Sequence, residues 1–126
     1  MEFVSFPLLA WEGWETTLAQ FVYNDDSIEK SFDHRAWVCV SDDFDAVKIT
    51  KTILQSIDPF SPDVNDLNLL QVKLKEKLSG KNVLIVLDDL WNESYVDWTI
   101  LRSPFGATTK IIVTTRLRMF HQLWIQ

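Results

Sequence analysis

The sequence predicts an α/β protein with a mostly parallel sheet of about four strands. Short, nearly continuous apolar runs alternate with stretches of helical periodicity, and the later runs end in acids, threonines and an arginine. Strands alternating with helices imply βαβ units and right-handed crossovers. Apolar runs that lack a two-residue alternation imply strands covered on both faces.

Each element follows from its own residues. "FVSFPLL" (Phe3 to Leu9) reads as a strand, and Pro7, which cannot donate to a ladder, assigns it to an edge. From Thr16 to about Tyr23, the spacing of Leu18, Phe21 and Val22 suits a short helix. "RAWVCV" (Arg35 to Val40) is a second strand. In "SDDFD", Ser41 and the acids favour a helix start, after which Phe44, Val47, Leu54 and Ile57 share a helix face with Thr50. Pro59 and Pro62 end that helix. Asp66 caps the next, whose Leu67, Leu70, Leu74 and Leu78 recur at helical spacing, and Gly80 stands where a C-terminal cap belongs. "NVLIVLDD" (Asn82 to Asp89) and "KIIVTT" (Lys110 to Thr115) are the remaining strands.

A length of 126 residues suits one domain, and 47% hydrophobic residues suffice for a core. The net charge of −6 argues against a nucleic-acid partner, which is bound by neutralising phosphates. A single cysteine, Cys39, excludes an internal disulfide, and its place inside "AWVCV" predicts a buried thiol. His34 and His121 lack a second His or Cys at ligand spacing, so no metal site made by protein ligands alone is expected. No apolar run approaches the roughly 18 residues of a membrane span. The first residues lack a basic segment and a small-residue cleavage site, so a signal peptide is not expected and a cytoplasmic setting is.

In open parallel sheets, ligands bind beyond the carboxyl ends of the strands. Polar groups gather at three such ends: Thr16-Thr17, Asp88-Asp89 and Thr114-Thr115-Arg116. An apolar strand ending in paired acids suits Mg²⁺ held against phosphates, because a hard cation takes carboxylate and water oxygens. An arginine at a neighbouring strand end can reach a terminal phosphate with its planar fork. Singly, paired acids also serve as solvated loop or helix cap, and a strand-end arginine as ordinary surface. Their co-occurrence in this order is the more specific signal.

From Thr16 to Arg116 the chain resembles the NB-ARC nucleotide-binding domain of plant disease-resistance proteins, intracellular receptors that also carry leucine-rich repeats. The segments "TTLAQFVYND", "FDHRAWVCVSDDFD", "DLNLLQVKLKEKLSGKNVLIVLDDLWNE", "DWTILRSPF" and "KIIVTTR" carry the resemblance. It implies a partial three-layer fold of the P-loop NTPase type, with ADP or ATP and Mg²⁺ as cofactors in a defence switch. It also implies roles residue by residue. Thr16 would be the Mg²⁺-ligating hydroxyl and Thr17 its phosphate-contacting neighbour. Asp88 would be the Walker B magnesium carboxylate, Asp89 the catalytic acid beside the hydrolytic water, and Arg116 the arginine that reads the γ-phosphate. Trp37, Trp91 and Trp98 match family positions too, with packing as their expected role.

The chain departs from that family at the loop. Where G-M-G-G-V-G-K-T-T is typical, this chain has "LAWEGWETT". Glycines let backbone N–H groups approach phosphates, and here Leu9, Trp11, Glu12 and Trp14 obstruct that approach. Glu15 replaces the lysine. Opposite charges 4 Å apart at an effective dielectric of 20 attract by about 4 kcal/mol, and an anion reverses that sign. "LRMFHQLWIQ" also leaves the family pattern, so residues 1–116 are assigned to a partial nucleotide-binding subdomain and 117–126 to a divergent tail. The resemblance implies a strand order 2-3-4-1-5. With four strands this leaves "FVSFPLL" on an open edge, where a protein partner could pair. The leading expectation is a nucleotide-switch fragment with impaired binding, in which hydrolysis, slow in the family, lacks its loop. One alternative is an interaction fragment, or a remnant, that binds no nucleotide. Another is a phosphoacceptor domain using Asp88-Asp89.

Overall fold

The computed structural model describes residues 2–7, 14–40, 44–61, 63–90, 95–117 and 120–125, with backbone alone for residues 2–7, 14–16, 95, 115–117 and 120–125. In chain order the elements are β1 (Glu2–Pro7), α1 (Trp14–Tyr23), α2 (Asp26–Ser31), β2 (His34–Cys39), α3 (Ala46–Ile57), α4 (Leu67–Leu78), β3 (Val83–Leu90), α5 (Tyr95–Arg102), β4 (Thr109–Leu117) and β5 (Phe120–Ile125). The helix termini follow local chemistry. Asp45, the last residue of "SDDFD", caps α3 by accepting from the N–H groups of Val47 and Lys48. Asp66 caps α4 by accepting from Leu69 N–H, and Gly80, at φ 71°, follows its C-cap Ser79. Asp25 caps α2, a short helix absent from the sequence reading.

The five strands form one sheet in the order β1-β5-β4-β3-β2. β2, β3 and β4 pair in parallel, as the lengths of their connections require, whereas β5 is antiparallel to both β4 and β1. The α/β expectation holds, and β1 lies at an edge as Pro7 indicated. One neighbour relationship is corrected. β1 does not pair with β4, because β5 lies between them, with Leu117 opposite Phe120 on one side and Val4 opposite Leu123 on the other. A strand that folds back directly after β4 closes a far shorter loop than one returning from the chain's first residues. Its sequence "FHQLWI" is also rich in residues that favour strands.

Steps from β2 to β3 and from β3 to β4 run one way across the sheet. The step from β1 to β2 runs the other way. With a uniform crossover hand, that reversal puts the helices on opposite faces, and the packing agrees. Against one face, Ile53 and Leu54 of α3, Leu74 of α4 and Leu101 of α5 meet Ile85, Leu87 and Ile111. Against the other, Ala19 of α1 meets Leu84, Val86 and Ile112, with Tyr23, Ile28 and Trp37 completing the layer. The rings of Tyr23 and Trp37 meet edge to face at 5.4 Å, and the Arg35 guanidinium lies over Tyr23 at 4.7 Å.

β3 is buried along nearly its whole length, as its continuous apolar run predicts. β2 is not covered equally on its two faces. Ala36, Val38 and Val40 face the α3–α4 layer, while the opposite positions depend on α1 and α2 for cover. Tyr23 reaches Arg35 and Trp37, but Cys39, at the end of this edge strand, is exposed. The expected burial of its thiol is therefore corrected. On α3, Ile49 and Ile53 join Thr50 and Leu54 as the buried residues, with Phe44, Val47 and Ile57 packed at the margin.

Candidate functional site

β1, β2, β3 and β4 all point the same way, so their carboxyl ends share one end of the sheet. There the pairing of β3 with β4 is interrupted. Leu87 lies opposite Val113 and Leu90 opposite Thr115, so Asp88 and Asp89 together face Thr114 alone. This is a β-bulge, uncommon in a parallel pair, with one extra residue on β3. Asp89 takes up the excess length at φ 61°, a left-handed conformation that Asp tolerates better than most residues.

Thr114 holds the bulge. Its hydroxyl donates to Asp88 Oδ1 at 2.6 Å and accepts the Asp89 N–H at 2.8 Å. One O–H donor and one lone pair are thus both used. Asp88 and Thr114 are buried, and Asp89 is half-buried at the rim. On the other side, the Asp88 carbonyl accepts from Val40 N–H, which continues the β2 pairing. A carboxylate at this depth needs such partners, since burying it without hydrogen bonds is costly.

The other predicted site residues lie on α1 and β4. Thr16 and Thr17 are in the first turn of α1, and Thr17 is exposed. Arg116 is on β4, two residues beyond Thr114, with its Cα opposite His121 of β5. The side chains of Thr16 and Arg116 lie outside the described residues, as do the side chains of Trp14 and Glu15, and all of Leu9 to Gly13 and Trp91. The structure thus brings Asp88, Asp89 and Thr114 together and places Thr17 in the first turn of α1. The role of Thr114 was missed in the sequence. "VTT" showed that polar residues follow the apolar run, but nothing in it marked a bulge or the partner of Asp88.

Among the described residues, no group of three or more His, Cys, Asp and Glu side chains could hold a metal ion. The donor set around Asp88 is hard oxygen, which fits Mg²⁺ completing its shell with phosphate and water oxygens. A cleft of about 130 Å³ between β2 and α3, lined by Cys39, Asp45, Lys48 and Thr52, falls well short of the ~300 Å³ of small ligand sites. No helix among the described residues is long and apolar enough to cross a membrane.

Comparison with known proteins agrees with this architecture. Residues 13–122 match the NB-ARC domain family, a span that reaches into β5. RGA4 of Solanum bulbocastanum is 45% identical over 116 residues, covering 89% of this chain and 12% of that protein. RPP13-like protein 1 of Arabidopsis thaliana is 46% identical over 107 residues, 81% of this chain and 10% of that protein. RGA2 of Solanum bulbocastanum is 44% identical over 117 residues, 88% of this chain and 12% of that protein. All three carry disease resistance in their names, and this chain spans about a tenth of their length. The chain belongs to the NB-ARC domain family, as a segment similar to plant disease-resistance proteins.

Proposed function

We propose that this chain corresponds to the nucleotide-switch portion of a plant disease-resistance protein and that its own affinity for ADP and ATP is impaired. The observation that carries the reading is the conjunction of a family-typical "NVLIVLDD" strand with a loop, "LAWEGWETT", that lacks the motif's glycines and lysine and keeps only Gly13 at a variable position. In this reading Asp88 and Thr16 would hold Mg²⁺, Thr17 and Arg116 would contact phosphates, and Asp89 would stand beside the hydrolytic water. The buried Asp88 and the bulge at the carboxyl end of β3 support it, since ligands of open parallel sheets bind beyond those ends. The impairment has two physical sources. Glu15 offers an anion to an anionic ligand, and β5 sets β1 one strand spacing, about 4.8 Å, further from Asp88 than direct pairing with β4 would.

A second reading, an interaction fragment that binds no nucleotide, is favoured by the position of β1 at the sheet edge, where another strand could add. Titrating fluorescent ADP with Mg²⁺ against the purified chain tests the first reading. We expect no saturation at micromolar concentrations. Micromolar binding that Asp88→Ala abolishes would overturn the impairment.

A further inference from the structure

We infer that Thr114 is a positioning residue for the acidic pair, a single hydroxyl that sets the orientation of the Asp88 carboxylate and holds Asp89 in its left-handed conformation. The inference rests on the reading of Asp88 as a cation ligand and adds to it a residue that touches neither cation nor nucleotide.

In an unbroken strand successive side chains point to opposite faces, so Asp88 and Asp89 could not serve one ligand together. The extra residue on β3 lifts that constraint, and bulges recur where a side chain must be re-aimed. A bulge needs something to hold its unpaired N–H. Here the acceptor is Thr114 Oγ1, at 2.8 Å from Asp89 N. The same oxygen carries the proton donated to Asp88 Oδ1 at 2.6 Å, a short O–H···O contact. Accepting from Asp89 polarises the hydroxyl and strengthens the bond it donates. Thr114 is 1% exposed, so water does not compete for either bond. β-Branching restricts its χ1, which fixes the hydroxyl between the two aspartates.

Groups that orient a metal ligand typically alter cation affinity by about 10–100-fold when removed. The probe is Mn²⁺ alone, followed by electron paramagnetic resonance on the native chain, Thr114→Val, Thr114→Ser and Asp88→Ala, each verified as folded by circular dichroism. Hydrogen exchange at the Asp89 amide is measured on the same samples. We expect Thr114→Val to weaken Mn²⁺ binding at least about tenfold and to speed exchange at Asp89 by about tenfold, the effect of losing one hydrogen bond. Thr114→Ser keeps the hydroxyl and stays close to native in both. Should valine unfold the chain, Thr114→Cys, with a weak donor of similar size, replaces it with the same expectation. If Thr114→Val binds Mn²⁺ like the native chain while Asp88→Ala abolishes binding, the positioning role fails and the cation reading of Asp88 stands. If the native chain binds no Mn²⁺, or Asp88→Ala still binds it, the cation reading fails and takes the positioning role with it.

Discussion

Thr114 and Asp88, on adjacent parallel strands, are joined side chain to side chain at 2.6 Å within the one register shift between β3 and β4. Hydrogen bonding and backbone geometry are therefore coupled at this point. The bulge makes room for Asp89, Asp89 adopts a positive φ, and its N–H returns to the hydroxyl that also holds Asp88.

The backbone at Asp89 gives a direct prediction. A left-handed conformation costs an ordinary residue roughly 1–2 kcal/mol and a β-branched one the most, whereas Asn tolerates it. Asp89→Val should therefore destabilise the fold by about 1–2 kcal/mol more than Asp89→Asn, as read from urea unfolding midpoints at equal slope. Equal stability of the two variants would show that residue 89 does not hold a positive φ in solution.

Packing on the α3–α4 face gives a second. Leu74 is fully buried between α4 and the sheet, whereas Leu69, on the same helix, is 42% exposed. Leu74→Ala should cost about 2–5 kcal/mol through lost burial and the cavity left behind, and Leu69→Ala under about 1 kcal/mol. Comparable losses in thermal or urea unfolding would mean that α4 docks by a different face.

Those two leucines also show what was legible beforehand. The periodicity of Leu70, Leu74 and Leu78 identified the buried stripe of α4, and the apolar run through Leu87 identified β3, because both signals are local and repeat along the element. Asp66 and Gly80 were legible for the same reason, since a cap is decided by its own few residues. What escaped was set by tertiary neighbours. "FHQLWI" favours a strand, but only the free edge of β4 makes it β5 and separates β1 from β4. Cys39 lies in an apolar run, yet its exposure depends on how far α1 and α2 reach across β2. In the candidate site, the paired acids Asp88 and Asp89 stood out in the sequence as polar residues ending an apolar run. The hydroxyl that bonds both of them did not, because a register shift between strands 25 residues apart leaves no mark in either strand.

The exposure of Cys39 is testable in one step. A thiol at the open end of an edge strand should label with a disulfide reagent in the folded protein, since reactivity follows access as well as thiolate fraction. Native and urea-unfolded chains should react with one equivalent at rates within about tenfold of each other. Labelling confined to the unfolded chain would restore the buried thiol that the run "AWVCV" suggests.

The sharpest prediction concerns repair of the loop. If "LAWEGWETT" is the fault, restoring its chemistry should return some nucleotide affinity, because Thr16, Asp88 and Arg116 are still present in the chain. The variant combines Leu9→Gly, Trp11→Gly, Glu12→Gly, Trp14→Gly and Glu15→Lys. A lysine alone would attract phosphate but leave the backbone N–H groups shielded by indole and leucine side chains. Reversing the charge at residue 15 replaces a repulsion with an attraction of about 4 kcal/mol at contact distance, less what the side chain loses to solvent. The substitution at Trp14 carries a cost, since this residue opens α1 and glycine is about 1 kcal/mol less favourable than alanine within a helix. Recovery should also be incomplete, because β5 still separates β1 from β4. Fluorescent ADP with Mg²⁺ is titrated against the native and repaired chains at matched foldedness. Saturable binding by the repaired chain alone is expected, and Asp88→Ala in that background should weaken it. Identical titrations for both chains would overturn the loop as the cause. Absence of binding by a well-folded repaired chain would move the fault to the strand order.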